Sequence, residues 1–357
     1  YYMTGTETYD IKWSMPQCVL TLRLIGLAFD LFDGTKTEGC LIMRKKKTAL
    51  PNKPSLLEVA AHTYFPASFL VGPQFPMKRY LCFVNGAFSS KEADGLPDCL
   101  IPGLKRGSLG FVYLGLYQVG TSFFPECYLL GDDFQELAFW KRCLTLGIWG
   151  KITMYKYISC WLISEGVCIV AGLTYNGVDS AGRSRWDGCA NVKLRIFEGA
   201  TKFGHYIASF NINTNNWVAQ YVYKRLKFLG NRYISQAAAL TFLAVWHGLH
   251  SGYYMCFILE FVVMKMEKDI EALIAKTSLK EYLDHVAIRP ITWLLLKLYT
   301  FVFLGYCLVP FVLLSFSRWM EVFKSVYFIG HIVFFLWPLY APLVKNVLLQ
   351  PSRPHQQ

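Results

Sequence analysis

The sequence predicts an all-α fold, a polytopic transmembrane helical bundle, and three observations carry that prediction. Hydrophobic residues make up 54% of the 357-residue chain, and Asp, Glu, Lys and Arg together only 17%, where soluble domains carry about a quarter charged residues. The stretches 107–125, 233–259, 298–317 and 325–344 contain no formal charge, and a helix of roughly 20 apolar residues is enough to cross a bilayer. The polar side chains inside the 233–259 stretch fall at helical spacing, on one side of a rod that is otherwise apolar.

Taken in order, the first apolar segment is 16–32, which carries Arg23, followed by 56–72, which carries Glu58. The uncharged 107–125 comes next, then 143–174, which carries Lys151, Lys156 and Glu165. With the three uncharged stretches that follow, the pattern predicts six to nine membrane helices. The connections are polar: 33–55 is basic, 85–105 mixes Gly, Pro and acids, and 176–215 is long and rich in Gly and Asn. Residues 265–289 read as an amphipathic helix, with Met266, Ile270, Leu273 and Ile274 on one face and Lys268, Asp269, Glu271 and Lys276 elsewhere. No soluble segment and no fixed-period repeat separates out, so residues 1–357 are expected to form a single transmembrane domain. The missing repeat gives no support to an inverted-repeat transporter.

The net charge of +12 would suggest nucleic acid in a soluble protein. Here the basic residues cluster between apolar segments: 44–47, Lys141 with Arg142, and Lys224, Arg225, Lys227 and Arg232. That distribution fits cytosolic loops and anionic lipid headgroups and predicts membrane lipids, not nucleic acid, as the surroundings. Topology alone and attraction of an anionic substrate both account for it. Trp140 and Trp217 near these clusters suit membrane interfaces. The eleven cysteines lack C-x-x-C spacing, and Cys160, Cys168, Cys256 and Cys307 lie in apolar runs, where cysteine behaves as a small hydrophobe. No nucleotide-loop, zinc-protease or serine-hydrolase motif occurs.

Two segments could carry chemistry. If 233–259 is one helix, His247, His250, Ser251 and Tyr254 share an arc of about 100°, and Gly248 and Gly252 form a neighbouring small-residue face that admits another helix. An ionisable residue at this depth is a functional hypothesis by default. A desolvated imidazole favours its neutral form, which can accept a hydroxyl proton as a general base; the bland alternative is a structural histidine bonded to a neighbouring helix. His247 and His250 could also share a metal, but no Cys, Asp or Glu lies beside them to complete a closed zinc site, so no metal is expected. The other segment is Ser209-Phe210-Asn211-Ile212-Asn213-Thr214-Asn215-Asn216-Trp217. Its asparagines cannot face lipid unsatisfied. Asn215 or Thr214 could cap the following helix, and one amide could instead donate to a developing oxyanion. Residue types alone do not choose which.

An asparagine followed 36 positions later by histidine in a Trp-His-Gly context, within a polytopic chain, resembles the membrane-bound O-acyltransferase (MBOAT) family. The blocks Tyr9-Asp10-Ile11-Lys12-Trp13, Val71-Gly72-Pro73-Gln74-Phe75, 209–214, 224–230 and 246–252 extend that resemblance over nearly the whole chain. The resemblance implies an internal catalytic chamber faced by Asn211 and His247. It also implies transfer of a fatty acyl group from acyl-coenzyme A, as co-substrate, to the sn-2 hydroxyl of a lysophospholipid, with no other cofactor and no covalent acyl-enzyme. From their place on the stripe, and not from the resemblance, His250, Ser251 and Tyr254 are expected to line the substrate path; a basic cytosolic mouth would suit coenzyme A, and Lys224, Arg225 and Lys227, just after the asparagine segment, are expected to meet its phosphates. A multi-pass protein of the endoplasmic reticulum membrane is implied, although residues 354–357 lack the lysine-rich retrieval tail expected there. Family members normally begin with further membrane helices, so the chain is expected to be incomplete at its N-terminus. A homo-oligomer is left open. Two other readings remain: an O-acyltransferase of the same fold with a sterol or protein acceptor, and a transporter with His247 in its pore.

Overall fold

A computed structural model describes residues 14–36, 47–88, 98–277 and 279–349. The sequence blocks at 9–13 and 354–357, and basic positions 44–46, lie outside them. Among the described residues the chain is helical, with one isolated bridge between Val178 and Ser184 in the long polar loop. In the first part of the chain, α1 spans Ser14–Gly34, α2 Leu56–Thr63, α3 Met77–Val84, α4 Leu100–Phe123, α5 Asp132–Gln135 and α6 Phe139–Val170. The middle holds α7 (Leu194–Glu198), α8 (Phe203–Ser209), α9 (Ile212–Tyr221), a 3-10 segment Tyr223–Leu229 and α10 (Arg232–His247). It is followed by α11 (Ser251–Ile274), α12 (Leu279–Asp284), α13 (Arg289–Leu313), α14 (Phe316–Ser325), α15 (Ile329–Phe335) and α16 (Trp337–Leu348).

By length and composition, Met15–Gly34 and Arg289–Leu313 can cross a membrane, and Ile329–Phe335 with Trp337–Leu348 adds a third crossing if that pair, bent by 63°, is one span. This is fewer than the six to nine expected, and the physical reasons are visible. The 56–72 stretch yields only the eight residues of α2, which starts at the Ser55 capping box with Glu58 and ends at Thr63, just ahead of Pro66. The 325–344 stretch breaks between α15 and α16. The 107–125 and 143–174 stretches do form long helices, α4 and α6, but these include charges paired with carboxylates elsewhere in the chain. Arg106 pairs with Glu165 at 2.7 Å, Lys151 with Glu198 at 2.9 Å and Lys156 with Glu126 at 3.2 Å. Arg23 of α1 is likewise buried, donating to the carbonyls of His62 (2.7 Å) and Thr63 (3.0 Å) and to Ser68 Oγ (2.6 Å).

Glycine sets the closest helix contacts. A Cβ on Gly166 of α6 would stand 2.7 Å from the Gly107 nitrogen and 2.9 Å from the Gly103 carbonyl oxygen of α4, so these two helices meet backbone to backbone. Gly150 and Gly305 let α6 and α13 do the same. Around these crossings the core packs Leu146 and Trp149 of α6 against Tyr306 and Val309 of α13, with Trp319 and Phe323 of α14 closing the far side. A second apolar cluster, including Ile158, Leu162, Phe197 and Tyr206, lies beneath the asparagine segment.

Candidate active site

The expected single helix over 233–259 is broken, and this is the main correction to the sequence reading. α10 ends at His247, Gly248 adopts φ 138° and ψ −172°, and α11 begins at Ser251 with His250 as its N-cap residue. Gly248 therefore serves a backbone turn that a side chain would strain, not a helix–helix face. Gly252 does serve a close approach: a Cβ there would overlap the Pro310 carbonyl of α13. Because the rod is interrupted, the polar stripe does not exist. His247 lines a cavity of about 210 Å³, and His250, Ser251 and Tyr254 do not. Ser251 Oγ instead accepts from Trp319 Nε1 at 3.2 Å, and the His250 ring lies 6.1 Å from that of Tyr253.

The cavity is walled by α1, the 71–74 segment, α6, α10, α11 and α13. Its sides are mostly aromatic and aliphatic, including Trp161, Phe210, Trp246, Phe257 and Phe311. Trp246 Nε1 donates to the Cys18 carbonyl at 3.1 Å, fixing the end of α10 to α1. The His247 ring sits among Trp246, Tyr253, Phe257 and Phe311, with ring centroids 4.7 to 5.7 Å away. No described residue hydrogen-bonds either of its nitrogens, so packing holds the ring and leaves its polar atoms to whatever enters the cavity. That geometry suits proton transfer to a bound ligand.

Asn211 faces the same cavity. It connects α8 to α9 in the left-handed region, φ 50° and ψ 43°, a conformation that asparagine tolerates better than most residues. Neither Asn215 nor Thr214 caps α9, contrary to expectation. Asn215 Nδ2 donates backwards to the carbonyls of Ile207 (3.1 Å) and Phe210 (2.9 Å), closing the end of α8. The first turn of α9 is capped from a distance by Asn191, in the long polar loop. The Asn191 carbonyl accepts from Ile212 N at 3.0 Å, and its Oδ1 accepts from Asn213 N at 2.9 Å. Asn213 Nδ2 in return donates to the carbonyls of Cys189 (2.9 Å) and Ala190 (3.2 Å). A helix start left without a local cap needs such partners for its orphan N–H groups.

Lys224, Arg225 and Lys227 lie on the 3-10 segment, and none lines this cavity. Arg225 holds Asp33 with two bonds of 3.1 and 2.6 Å, its guanidinium 4.1 Å from the centre of the Phe29 ring. Lys227 is exposed and Lys224 half-buried.

Three residues at or behind the cavity escaped the sequence reading. Asn191 was hidden in a polar loop with nothing in its spacing to single it out. Glu165 stood out only as a charge in an apolar run, which was itself a usable signal, because such a residue implies a buried partner. Glu260, on the cavity face of α11 one turn beyond Cys256, lies immediately after the uncharged stretch. Among the described residues, no group of three His, Cys, Asp or Glu converges to hold a metal.

The cavity thus gathers His247 with Asn191, Asn211 and Asn215 among largely apolar walls. Residues 1–309 match the MBOAT, membrane-bound O-acyltransferase family, and the chain belongs to it; it is a membrane protein. The chain is similar to lysophospholipid acyltransferase 5 of Bos taurus, 46% identical over 350 residues, covering 98% of this chain and 72% of that relative. The Drosophila melanogaster protein of the same name is 46% identical over 357 residues, covering 99% and 71%. Lysophospholipid acyltransferase of Schizosaccharomyces pombe is 30% identical over 339 residues, covering 93% and 66%.

Proposed function

We propose that this protein is a lysophospholipid acyltransferase that moves a fatty acyl group from acyl-coenzyme A to the free sn-2 hydroxyl of lysophosphatidylcholine and related lysophospholipids. The observation that carries the reading is one apolar cavity shared by His247 and Asn211 in a chain whose relatives bear that name. His247 removes the hydroxyl proton as the oxygen attacks the thioester carbonyl. The carbonyl oxygen takes up negative charge, and the Asn211 carboxamide donates a hydrogen bond to it, where a preorganised donor in a water-poor site counts most. The intermediate collapses with loss of the coenzyme A thiolate, which takes the proton from His247. The products are a diacyl phospholipid and free coenzyme A, with no covalent acyl-enzyme and no metal.

The dry cavity is the catalytic chamber in this reading. It brings His247 and Asn211 to one apolar space where the reacting groups can meet. We assign Lys224 and Lys227 to the mouth through which the coenzyme A phosphates arrive, and the endoplasmic reticulum as the membrane, in remodelling with polyunsaturated acyl donors. The test is incubation of the purified chain with polyunsaturated acyl-coenzyme A and a panel of lysophospholipids, sterols and peptides, read by mass spectrometry. Diacyl phospholipid is the expected product; acylated sterol or peptide, or no product at all, refutes the reading.

A further inference from the structure

We infer that Asn191 is a positioning residue for Asn211, turning its carboxamide so that the amide nitrogen faces the cavity. The inference rests on the acyltransferase reading and specifies what holds its oxyanion donor in place.

An asparagine side chain presents a donor at one end and an acceptor at the other, and left free it can point either toward a reacting carbonyl. Only one orientation stabilises negative charge. Asn191 Nδ2 donates to Asn211 Oδ1 at 3.4 Å, which occupies the acceptor end from the protein side. No described residue takes the Asn211 Nδ2 hydrogens. The same Asn191 also receives the N–H groups of Ile212 and Asn213, so it grips three consecutive residues, 211 to 213, and pins the left-handed backbone at Asn211.

Asn191 is itself braced from behind. Glu165 Oε1 accepts from the backbone nitrogens of Asn191 (2.8 Å) and Val192 (3.1 Å). Its other oxygen pairs with Arg106 Nε at 2.7 Å, and Arg106 Nη2 donates to the Val192 carbonyl at 2.6 Å. Glu165 is only 2% exposed. A buried ion pair thus anchors a loop whose one side chain in the cavity wall is Asn191. Groups that place a catalytic donor need such support, since a small misplacement is costly in rate.

The decisive substitution is Asn191→Asp. It keeps an acceptor for Asn213 N but replaces the donor facing Asn211 Oδ1 by a second acceptor, which favours the flipped amide with its oxygen toward the cavity. Initial rates are measured on the purified full chain with a polyunsaturated acyl-coenzyme A and lysophosphatidylcholine. The variant is expected to lose at least about tenfold in kcat, toward the ~10²–10³ of a lost oxyanion donor, with both KM values within about twofold. In the Asn211→Ala background the same change should add less than about twofold, because residues acting as a unit do not add. Should Asn191→Asp not be recovered folded, Glu165→Gln, which weakens the brace, is read in both backgrounds by the same criterion. Losses that multiply in the double variant, or an undiminished kcat in Asn191→Asp, overturn the inference while wild-type turnover stands. Absence of wild-type turnover on every lysophospholipid sinks the acyltransferase reading instead.

Discussion

Arg225 separates two accounts of the basic segment, because its surroundings predict a stability effect where its charge alone suggests a substrate effect. The side chain is 14% exposed and its partner Asp33 1%, with two short bonds between them. Exposed pairs contribute ~0–1 kcal/mol, whereas removing one partner of a buried pair costs about 3–5 kcal/mol, because the remaining charge is stranded. The Phe29 ring against the guanidinium adds a favourable contact that is lost with it. Arg225→Met should therefore lower the melting temperature in detergent by many degrees. Asp33→Asn in the same chain should restore part of the loss, since the buried side chain then carries no charge. Lys227→Met, at an exposed position, should stay within about 0.5 kcal/mol of wild type. The readout is thermal unfolding of each purified variant, with the KM for acyl-coenzyme A measured on the folded fraction. An Arg225→Met protein that melts like wild type but has a raised KM for acyl-coenzyme A would refute the reasoning and place Arg225 at the substrate mouth.

Other consequences can be checked in parallel. Gly252→Ala drives a methyl into the Pro310 carbonyl, so it should cost about 1–3 kcal/mol by overpacking. Turnover should fall with it, because α11 carries Phe257 against the His247 ring; an unchanged melting temperature argues against this crossing. Asn211→Asp keeps the shape and tolerates the left-handed backbone, but places a carboxylate beside the developing oxyanion. It should lose roughly 10²–10³-fold in kcat with little change in melting, and an active variant would remove Asn211 from the mechanism. Prolonged chelation should leave turnover intact, and zinc-dependent recovery of lost activity would contradict the metal-free scheme.

The all-α class was legible because long uncharged stretches have few other ways to satisfy a backbone away from water. The break between α10 and α11 was not: an apolar run looks alike on both sides of it, and single glycines are tolerated inside helices. Only the backbone shows that Gly248 turns while Gly252 packs. That His247 and Asn211 belong together was legible through family resemblance, since no periodicity relates residues on separate helices. The choice of Asn211 among the asparagines came from the family pattern, and the residues that hold it were not legible because they act across the chain. Asn191 lies 20 residues from Asn211, and Arg106 lies 59 residues from Glu165. Neither separation leaves a periodic signal. Length and composition qualify fewer of the described helices than the span count expected, because a hydropathy window does not see where a helix bends, or that a charge such as Glu165 is paired within the protein.

The most direct test of the central claim is acyl transfer by His247→Ala. The ring makes no described hydrogen bond, and its loss removes packing at a cavity wall that a folded protein can tolerate. The account therefore predicts a protein that is recovered folded from membranes, at near-normal expression, with turnover of lysophosphatidylcholine reduced by about 10²–10⁴-fold, the contribution of a general base. Retention of more than about a tenth of wild-type turnover by the folded variant, well above that range, would contradict it.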